Sequence, residues 1–261
     1  MRIVRFTPGP DAGLGQDPLF GVLEDDGLIS IISGDPIYSG IQKTAATIPL
    51  NKVRLLAPII PRSKVVCVGK NYADHAAEMG GVVPEEPIIF LKPNTSVIGP
   101  NDTIVWPEMS ERVDHEAELA IVIGRICKDV PKERVNDVIF GYTIANDVTA
   151  RDLQKKDGQW TRAKGFDTFC PIGPWIDTDF VPGTQKITAT IAGEVKQSAQ
   201  ISDMIFDVPT IINFVSRVMT LLPGDIILTG TPAGIGPMVA GEKATMAIEG
   251  LGELTNKLSA R

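Results

Sequence analysis

The feature of this sequence that most limits its fold is a series of short apolar runs rich in Val, Ile and Thr. Runs of this length and composition, bounded by turn residues, predict strands rather than helices. None of them approaches the roughly 18 uninterrupted apolar residues of a membrane helix, so we expect no membrane partner. The runs cover residues 65–68, 88–91, 119–123, 139–144, 187–191, 226–229 and 244–248.

One segment predicts a helix. Its apolar residues recur at helical spacing after Asp207 and Pro209, and Pro223-Gly224 predicts its end. Strands outnumber helices and do not alternate with them regularly, which argues against a doubly wound βαβ fold. The predicted class is therefore α+β, mostly β, with a sandwich-like body. The helical positions are Ile211, Ile212, Val215, Val218, Met219 and Leu222.

The first 60 residues predict a separate small β unit. Apolar runs at 20–23 and 28–32 flank the turn sequence Asp25-Asp26-Gly27, which is typical of a hairpin. Three prolines between residues 48 and 62 limit regular structure there and indicate a connector. We predict a small N-terminal β domain over residues 1–60 and a main domain over residues 61–261.

Composition excludes several classes of protein. A net charge of −7 and a pI near 5.0, without a basic stripe, argue against nucleic-acid binding. Three widely spaced cysteines without a CxxC motif indicate neither a disulfide framework nor a thiolate metal site. Two histidines cannot build the usual zinc sites. The start of the chain lacks a signal-peptide core, so we expect a cytoplasmic protein.

Two glutamates, Glu116 and Glu118, are two residues apart on a predicted strand. Their side chains should leave the same face, with Cα atoms about 6–7 Å apart. The apolar residues 119–123 that follow imply that this strand enters the core with its glutamates at the rim. Paired carboxylates in that position repel each other and lose hydration. A cation, an arginine partner or solvent exposure would each relieve that cost.

A third carboxylate, Asp147, follows the apolar run 139–145, where a strand is predicted to end and a short helix to begin. Its alternative role is the N-cap of a helix over residues 149–153. Three carboxylates without a nearby cysteine suit Mg²⁺ or Mn²⁺. If the helix begins at Asp147, Arg151 and Gln154 share its face, and Arg151 would hold a substrate carboxylate. The alternative is a surface Arg–Asp pair.

A histidine and a glutamate, His75 and Glu78, are three residues apart in the segment 71–78. One helical turn would place them side by side, so that the carboxylate orients the imidazole for water activation. The alternative interpretation is an exposed pair on a helix surface.

These motifs together resemble the fumarylacetoacetate hydrolase family over about residues 60 to 255. The resemblance implies a small N-terminal β domain, followed by a catalytic domain built as a mixed β-sandwich roll, and usually a homodimer. It is carried, in the family's order, by VGKNYADHAAE, IIFLKPNTSVIGP, DHEAELAIVIG, GYTIANDVTARD, WTRAKGFDTFCPIGPW and LLPGDIILTGTPAGIG.

The resemblance assigns roles residue by residue. It implies that Glu116, Glu118 and Asp147 bind Mg²⁺ or Mn²⁺. It implies that Lys164 and Thr231 contact the substrate or its developing negative charge; without it, Lys164 would be taken for a surface lysine. It places His75 and Glu78 on a mobile lid, for which Gly80-Gly81 and Pro84 would be a compatible hinge. It gives His115 no role, so we interpret His115 as structural.

The short N-terminal region argues against fumarylacetoacetate itself as the substrate. Short bacterial members hydrolyse acylpyruvates, decarboxylate oxaloacetate, or isomerise and decarboxylate hydroxymuconate-type diacids in aromatic catabolism. We therefore predict a metal-dependent enzyme that cleaves a C–C bond in a small 2-oxo acid through an enolate stabilised by the cation and Lys164. The alternatives are an isomerase of 2-hydroxyhepta-2,4-diene-1,7-dioate-type diacids, a non-catalytic oxo-acid-binding protein and, without a supporting motif, a metal-dependent phosphohydrolase.

Overall fold

The computed structural model describes residues 1–78, 80 and 82–260. Strands account for 41% and helices for 19% of the chain. The predicted α+β, mostly-β class is therefore confirmed. The strands are β1 (Arg2–Pro8), β2 (Leu19–Leu23), β3 (Leu28–Ile32), β4 (Lys43–Pro49), β5 (Val53–Leu55), β6 (Val65–Gly69), β7 (Ile88–Lys92), β8 (Val97–Ile98), β9 (Thr103–Ile104), β10 (Val113–His115), β11 (Ala117–Ile123), β12 (Ile139–Asn146), β13 (Thr149–Ala150), β14 (Cys170–Asp177), β15 (Lys186–Ile191), β16 (Glu194–Gln200), β17 (Ile226–Leu228), β18 (Gly236–Pro237), β19 (Lys243–Ile248) and β20 (Gly252–Leu258).

The strands form three sheets within the described residues. The largest has the order β4-β3-β2-β1-β14-β12-β11-β17-β6-β7, with β5 paired to β1 and β8 paired to β14. A five-stranded sheet has the order β16-β15-β19-β20-β9, and a small one the order β13-β10-β18. Side chains of β11, β15 and β19 share one apolar core, so the large and the five-stranded sheets pack against each other.

All seven predicted strands of the main body are present, as β6, β7, β11, β12, β15, β17 and β19, with ends that shift by at most two residues. Three strands of the main body with seven or more residues, β14, β16 and β20, were not predicted. The prolines Pro171 and Pro174 conceal the buried strand β14, and mostly polar residues conceal β16. Proline and polar composition both lower the strand signal of a single sequence.

The predicted helix is confirmed as the longest of the described helices. Asp207 caps its N-terminus by accepting a hydrogen bond from the Thr210 backbone N–H at 2.9 Å. It ends earlier than predicted, because Leu221 exchanges backbone hydrogen bonds with Cys127 at 3.0 Å instead of continuing the helix. None of the described helices has the length and apolarity to cross a bilayer. The helices are α1 (Pro36–Ser39), α2 (Ala73–Glu78), α3 (Arg151–Asp157), α4 (Thr161–Lys164) and α5 (Val208–Val218).

The N-terminal strands continue the large sheet. The predicted hairpin turn is present, with Gly27 in the left-handed region at φ 82°. Strand β1 pairs with β14 of the main body, and Ile3 packs in the same buried cluster as Val65 and Ile172. The division into domains 1–60 and 61–261 stays a prediction, because the two segments share one sheet and one core.

Two neighbouring strands at the centre of the large sheet position the candidate site. Strands β11 and β12 are antiparallel, with Ala117 opposite Asn146, so the start of β11 lies beside the end of β12. Every residue of β11 is buried. Polar side chains at these two strand ends therefore meet at one edge of a well-packed core.

Candidate active site

Three carboxylates meet where β11 begins and β12 ends. Glu116 precedes β11, Glu118 lies within it, and Asp147 follows β12 and donates its backbone N–H to Glu116 O at 2.9 Å. One oxygen from each side chain lies within 4.8 Å of the others, and all three residues are buried. The structure thus brings together the carboxylates that the sequence singled out.

Three buried cations surround these carboxylates. Lys164 Nζ lies 2.7 Å from Glu116 Oε2 and 2.6 Å from Asp147 Oδ2. Arg151 donates to Glu116 and, through Nε, to Asp114 Oδ2 at 2.9 Å. Lys92 Nζ donates to Asp147 Oδ1 at 2.5 Å. These contacts satisfy most of the carboxylate oxygens.

The surroundings of Glu116 and Glu118 shift the pKa values of these two carboxyl groups in opposite directions. Burial alone would raise the pKa of Glu116, but the charges of Lys164 and Arg151 hold it well below its usual range. Glu118 has no cationic hydrogen-bond partner among the described residues, and accepts only the Gly230 N–H at 2.6 Å. Burial, together with the charges of Asp147 and Glu116, raises the pKa of Glu118 well above its usual value.

The donor set fits a divalent cation. It offers three convergent carboxylates without a nitrogen or sulfur ligand, which is the chemistry that Mg²⁺ and Mn²⁺ prefer. Glu118 supplies the structural reason, since a buried carboxylate with one hydrogen bond gains most from an added positive charge. The residues present are therefore suited to hold the metal that the sequence predicts.

Lys164 lies on the short helix α4, one turn after Trp160. Its surface interpretation is wrong, because the residue is only 2% exposed. Burial alone would lower the pKa of Lys164, but Asp147 and Glu116 raise it above its usual value, so the ammonium stays charged.

The helix that follows Asp147 starts later than predicted. Residues Thr149–Ala150 form β13, and α3 begins only at Arg151, so Asp147 caps no helix. Arg151 and Gln154 nevertheless reach the pocket, where Arg151 Nη1 donates to Gln154 Oε1 at 2.5 Å. The guanidinium is buried, which makes the surface-pair interpretation wrong.

Helix α2 carries the predicted histidine–glutamate pair. His75 Nδ1 lies 3.2 Å from Glu78 Oε2, and the Gly234 N–H donates to the Glu78 carboxylate. His75 is buried and lines the same pocket as the three carboxylates, so the exposed-pair interpretation is wrong for the histidine. Of the predicted hinge, Gly81 lies outside the described residues.

Thr231 lines the pocket beside Glu118. Its hydroxyl donates to Ala117 O at 2.9 Å and accepts from Gln197 Nε2 at 2.8 Å. The hydroxyl would have to rotate before it donates to a substrate oxygen. His115 lies nearby but outside the pocket lining, buried with Nδ1 3.2 Å from Gln197 Oε1, and burial lowers its pKa.

Sequence reasoning did not single out several residues of the site. Lys92 is the one with a visible signal, since a lysine that ends an apolar run occupies a strand end. Gln197 lies on a polar strand and has no such sequence signal.

The pocket encloses about 30 Å³, close to one water molecule. It is lined by Val68, Gly69, Lys70, His75, Phe90, Glu116, Glu118, Asp147, Arg151, Gln154, Trp160, Lys164 and Thr231.

Two family models match the chain. The model described as fumarylacetoacetate (FAA) hydrolase C-terminal matches residues 64–259. The model described as Rv2993c-like, N-terminal, matches residues 1–58. The two matches meet close to the connector that the sequence indicates.

Relatives with similar sequences extend over most of the chain. Protein Rv2993c from Mycobacterium tuberculosis is 58% identical over 226 residues, which are 85% of this chain and 83% of that protein. The mitochondrial oxaloacetate tautomerase FAHD2A from Bos taurus is 40% identical over 287 aligned positions, covering 99% of this chain and 91% of the relative.

Solved structures show the same architecture. The 5-carboxymethyl-2-hydroxymuconate delta-isomerase from Mycobacterium smegmatis superposes with a TM-score of 0.91 at 48% identity, covering 100% of both chains. The maleylpyruvate hydrolase from Sphingobium sp. SYK-6, solved with manganese(II) and pyruvate, superposes with a TM-score of 0.80 at 33% identity, covering 99% of each chain.

Proposed function

Because this chain belongs to the fumarylacetoacetate hydrolase family, we propose that it is a metal-dependent enzyme that cleaves a C–C bond in a small 2-oxo acid. The reaction would be hydrolysis of an acylpyruvate or decarboxylation of oxaloacetate. The observation that carries the proposal is the convergence of Glu116, Glu118 and Asp147 beside the buried ammonium of Lys164. A hydrolase relative that contains manganese(II) and pyruvate supports it.

Glu116, Glu118 and Asp147 would hold the cation, Mg²⁺ or Mn²⁺, in this proposal. The ion would supply a Lewis acid that polarises the oxygens of the 2-oxo acid. Glu118 lacks a cationic hydrogen-bond partner among the described residues, so its carboxylate would be stabilised most by the positive charge of the ion.

Arg151, Gln154 and Lys164 would orient the substrate and stabilise its charge. Arg151 and Gln154 are buried side by side, and a planar guanidinium suits the C1 carboxylate of a 2-oxo acid. When the bond beyond C3 breaks, its electron pair forms an enolate with negative charge on the C2 oxygen. Lys164 is fixed and charged before that happens, which is the preorganised arrangement that lowers such barriers. Thr231 would add a hydroxyl contact.

His75 and Glu78 would activate water for the hydrolytic reaction. If His75 donates its Nδ1–H to Glu78, its Nε2 is free to accept a proton from water. The hydroxide would attack the distal carbonyl carbon and the bond from that carbon to C3 would break. The pyruvate enolate would then take the proton back from His75 at C3, so that the products are pyruvate and a carboxylic acid. Decarboxylation needs no water, since carbon dioxide leaves directly.

A second candidate function uses the same residues. The isomerase and the tautomerase among the relatives favour proton transfer along an enol without cleavage of a bond between carbons. In this chain Lys164 would stabilise the enolate, and His75 would move the proton. The aromatic-catabolism role that the sequence predicts belongs to this candidate.

We extend the proposal to a homodimer in the cytoplasm, as the sequence resemblance implies. Light scattering coupled to size-exclusion chromatography should give twice the 28.0 kDa mass of the chain. A monomer at micromolar concentration would contradict the proposed homodimer. It would not contradict the proposed reaction.

Pyruvate release tests the proposed reaction. We expect release from oxaloacetate or acetylpyruvate with Mn²⁺ and none with EDTA. Free Mn²⁺ catalyses some decarboxylation by itself, so Glu118→Gln protein at the same Mn²⁺ concentration is the control and should lose about 100-fold or more in rate. Equal release by the variant, or full activity in EDTA, would contradict the proposal. Ultraviolet absorbance of the oxaloacetate enol would report tautomerisation in the same samples.

A further inference from the structure

Lys70 lies in the wall of the pocket with an unusual backbone conformation. It follows β6 directly, and its φ of 56° lies in the left-handed region that residues other than glycine seldom adopt. Such a conformation is strained and persists only where the surroundings fix it.

The next residue, Asn71, fixes it. Its side chain is fully buried and donates to Thr229 O at 2.7 Å and to Phe206 O at 3.0 Å. Its Oδ1 accepts the Phe206 N–H at 2.7 Å, and its backbone O accepts the Ile205 N–H at 2.8 Å. Four hydrogen bonds thus hold the backbone so that Lys70 contributes to the pocket lining.

The charge of Lys70 is free for an external partner. The other cationic side chains that line the pocket are used internally: Lys164 pairs with Glu116 and Asp147, and Arg151 with Glu116. His75 is hydrogen-bonded to Glu78. The Lys70 ammonium has no hydrogen bond or ion pair with any residue that the structure describes, and the side chain is half-buried.

Aromatic rings border the same wall. Trp160 meets Phe90 edge-on, with ring centroids 5.1 Å apart. A Cβ atom on Gly69 would lie 2.8 Å from the Trp160 ring, so the indole packs against the backbone that precedes Lys70. An anion at Lys70 would lie beside apolar surface, where reduced access of water strengthens an ion pair.

We propose that Lys70 is the specificity-determining residue that binds the distal carboxylate of a short dicarboxylic 2-oxo acid. The inference rests on the proposed function, since Arg151, Gln154 and the metal site would take the 2-oxo acid end. It narrows the substrate class to dicarboxylates and disfavours acylpyruvates with a plain alkyl end.

Two inert ligands of equal chain length test it. 2-Oxoglutarate and 2-oxovalerate share the 2-oxo acid end, and only the former carries a distal carboxylate. We expect calorimetry on Mn²⁺-loaded protein to show tighter binding of 2-oxoglutarate. Lys70→Met should weaken that binding about tenfold or more and leave 2-oxovalerate within about twofold, because a charge-assisted hydrogen bond is lost. Lys70→Arg should retain most of the affinity.

The control is Lys52→Met, at an exposed lysine outside the pocket, which should change neither affinity. Equal weakening of both ligands by Lys70→Met would place Lys70 at the shared end and overturn the inference, as would no change in either. If the wild-type protein binds neither ligand and releases no pyruvate from any 2-oxo acid, the proposed function fails as well. Thermal unfolding checks that each variant is folded.

Discussion

Lys92 shows how much of this site depends on single buried charges. Its ammonium is fully buried and has two partners, Asp147 Oδ1 at 2.5 Å and the backbone O of Val148 at 3.1 Å. Removing one member of a buried pair leaves the other charged group without compensation. Lys92 therefore fixes one oxygen of Asp147 and leaves the other to Lys164.

Replacing Lys92 by Met should lower the free energy of unfolding by about 3–5 kcal/mol, because Asp147 and the Val148 carbonyl lose a partner inside the core. The matched control is Lys43→Met, since Lys43 pairs with Glu24 at 2.6 Å on the surface. That change should cost at most about 1 kcal/mol. Urea unfolding of both variants measures the difference, and equal losses would contradict the role given to Lys92.

At the scale of elements, helix α2 carries His75, the residue that the proposed hydrolysis needs and the proposed decarboxylation does not. It is only six residues long and lies over the pocket with His75. Its described polar contact with the body is made by Glu78, which accepts the Gly234 N–H at 3.2 Å. A short element held by few contacts is of the kind that opens to admit a substrate.

His75→Ala should reduce hydrolysis of an acylpyruvate by about 100-fold or more and decarboxylation of oxaloacetate by much less, because only hydrolysis needs an activated water. Initial rates with both substrates at one Mn²⁺ concentration give the comparison. Glu78→Gln keeps a hydrogen-bond acceptor for His75 but loses the charge. Its hydrolysis rate should therefore lie between those of the wild-type protein and His75→Ala. Equal losses of rate in both reactions would contradict the proposal that His75 and Glu78 activate water.

The elements that sequence could predict are those whose own residues determine their conformation. Strand β11 is apolar along its length and helix α5 has an Asp207 cap, so both were visible. Strand β14 forms despite two prolines because it is buried between β1 and β12, a long-range effect that a local pattern does not contain. The start of α3 was misplaced for the same reason, since β13 forms by pairing with the distant β10.

The candidate site was predictable to a similar extent. Glu116, Glu118 and Asp147 lie at the ends of two apolar strands that the sequence indicates. The antiparallel pairing that brings these ends together is seen only in the fold. Lys92 ends β7 and Lys70 follows β6. The order of the strands in the whole sheet brings both lysines to the site. Side chains contributed by strands far apart in the chain acquire their environment only when the fold is known.

At the scale of the whole molecule, two buried thiols link stability to pH. Cys67 on β6 and Cys170 on β14 are fully buried within the large sheet. Burial raises the pKa of Cys67 well above its usual value, and raises the pKa of Cys170 to about 12. Both thiols therefore stay protonated in the folded protein at a pH where they ionise in the unfolded chain.

Stability should fall as the pH rises above about 9, because the unfolded chain then binds fewer protons than the folded protein. Each thiol contributes a slope of roughly 1 to 2 kcal/mol per pH unit until its folded pKa is reached, and its contribution is fully present below the unfolded pKa. Denaturant unfolding between pH 7 and 10 measures it. The double variant Cys67→Ala, Cys170→Ala should be less stable at pH 7 yet show a shallower slope, and an unchanged slope would contradict the assignment.

Lys164 lies between Glu116 and Asp147, and its ammonium balances part of the charge that a metal ion would otherwise have to balance. The polypeptide would therefore fold before it binds the proposed cation, unlike small domains that fold around their metal. Folding of the chain and binding of the proposed cation would then be separate events. In the proposed metal-dependent reaction, the active fraction of the protein would then follow the free concentration of the cation, and a shortage of metal would lower activity without unfolding the protein.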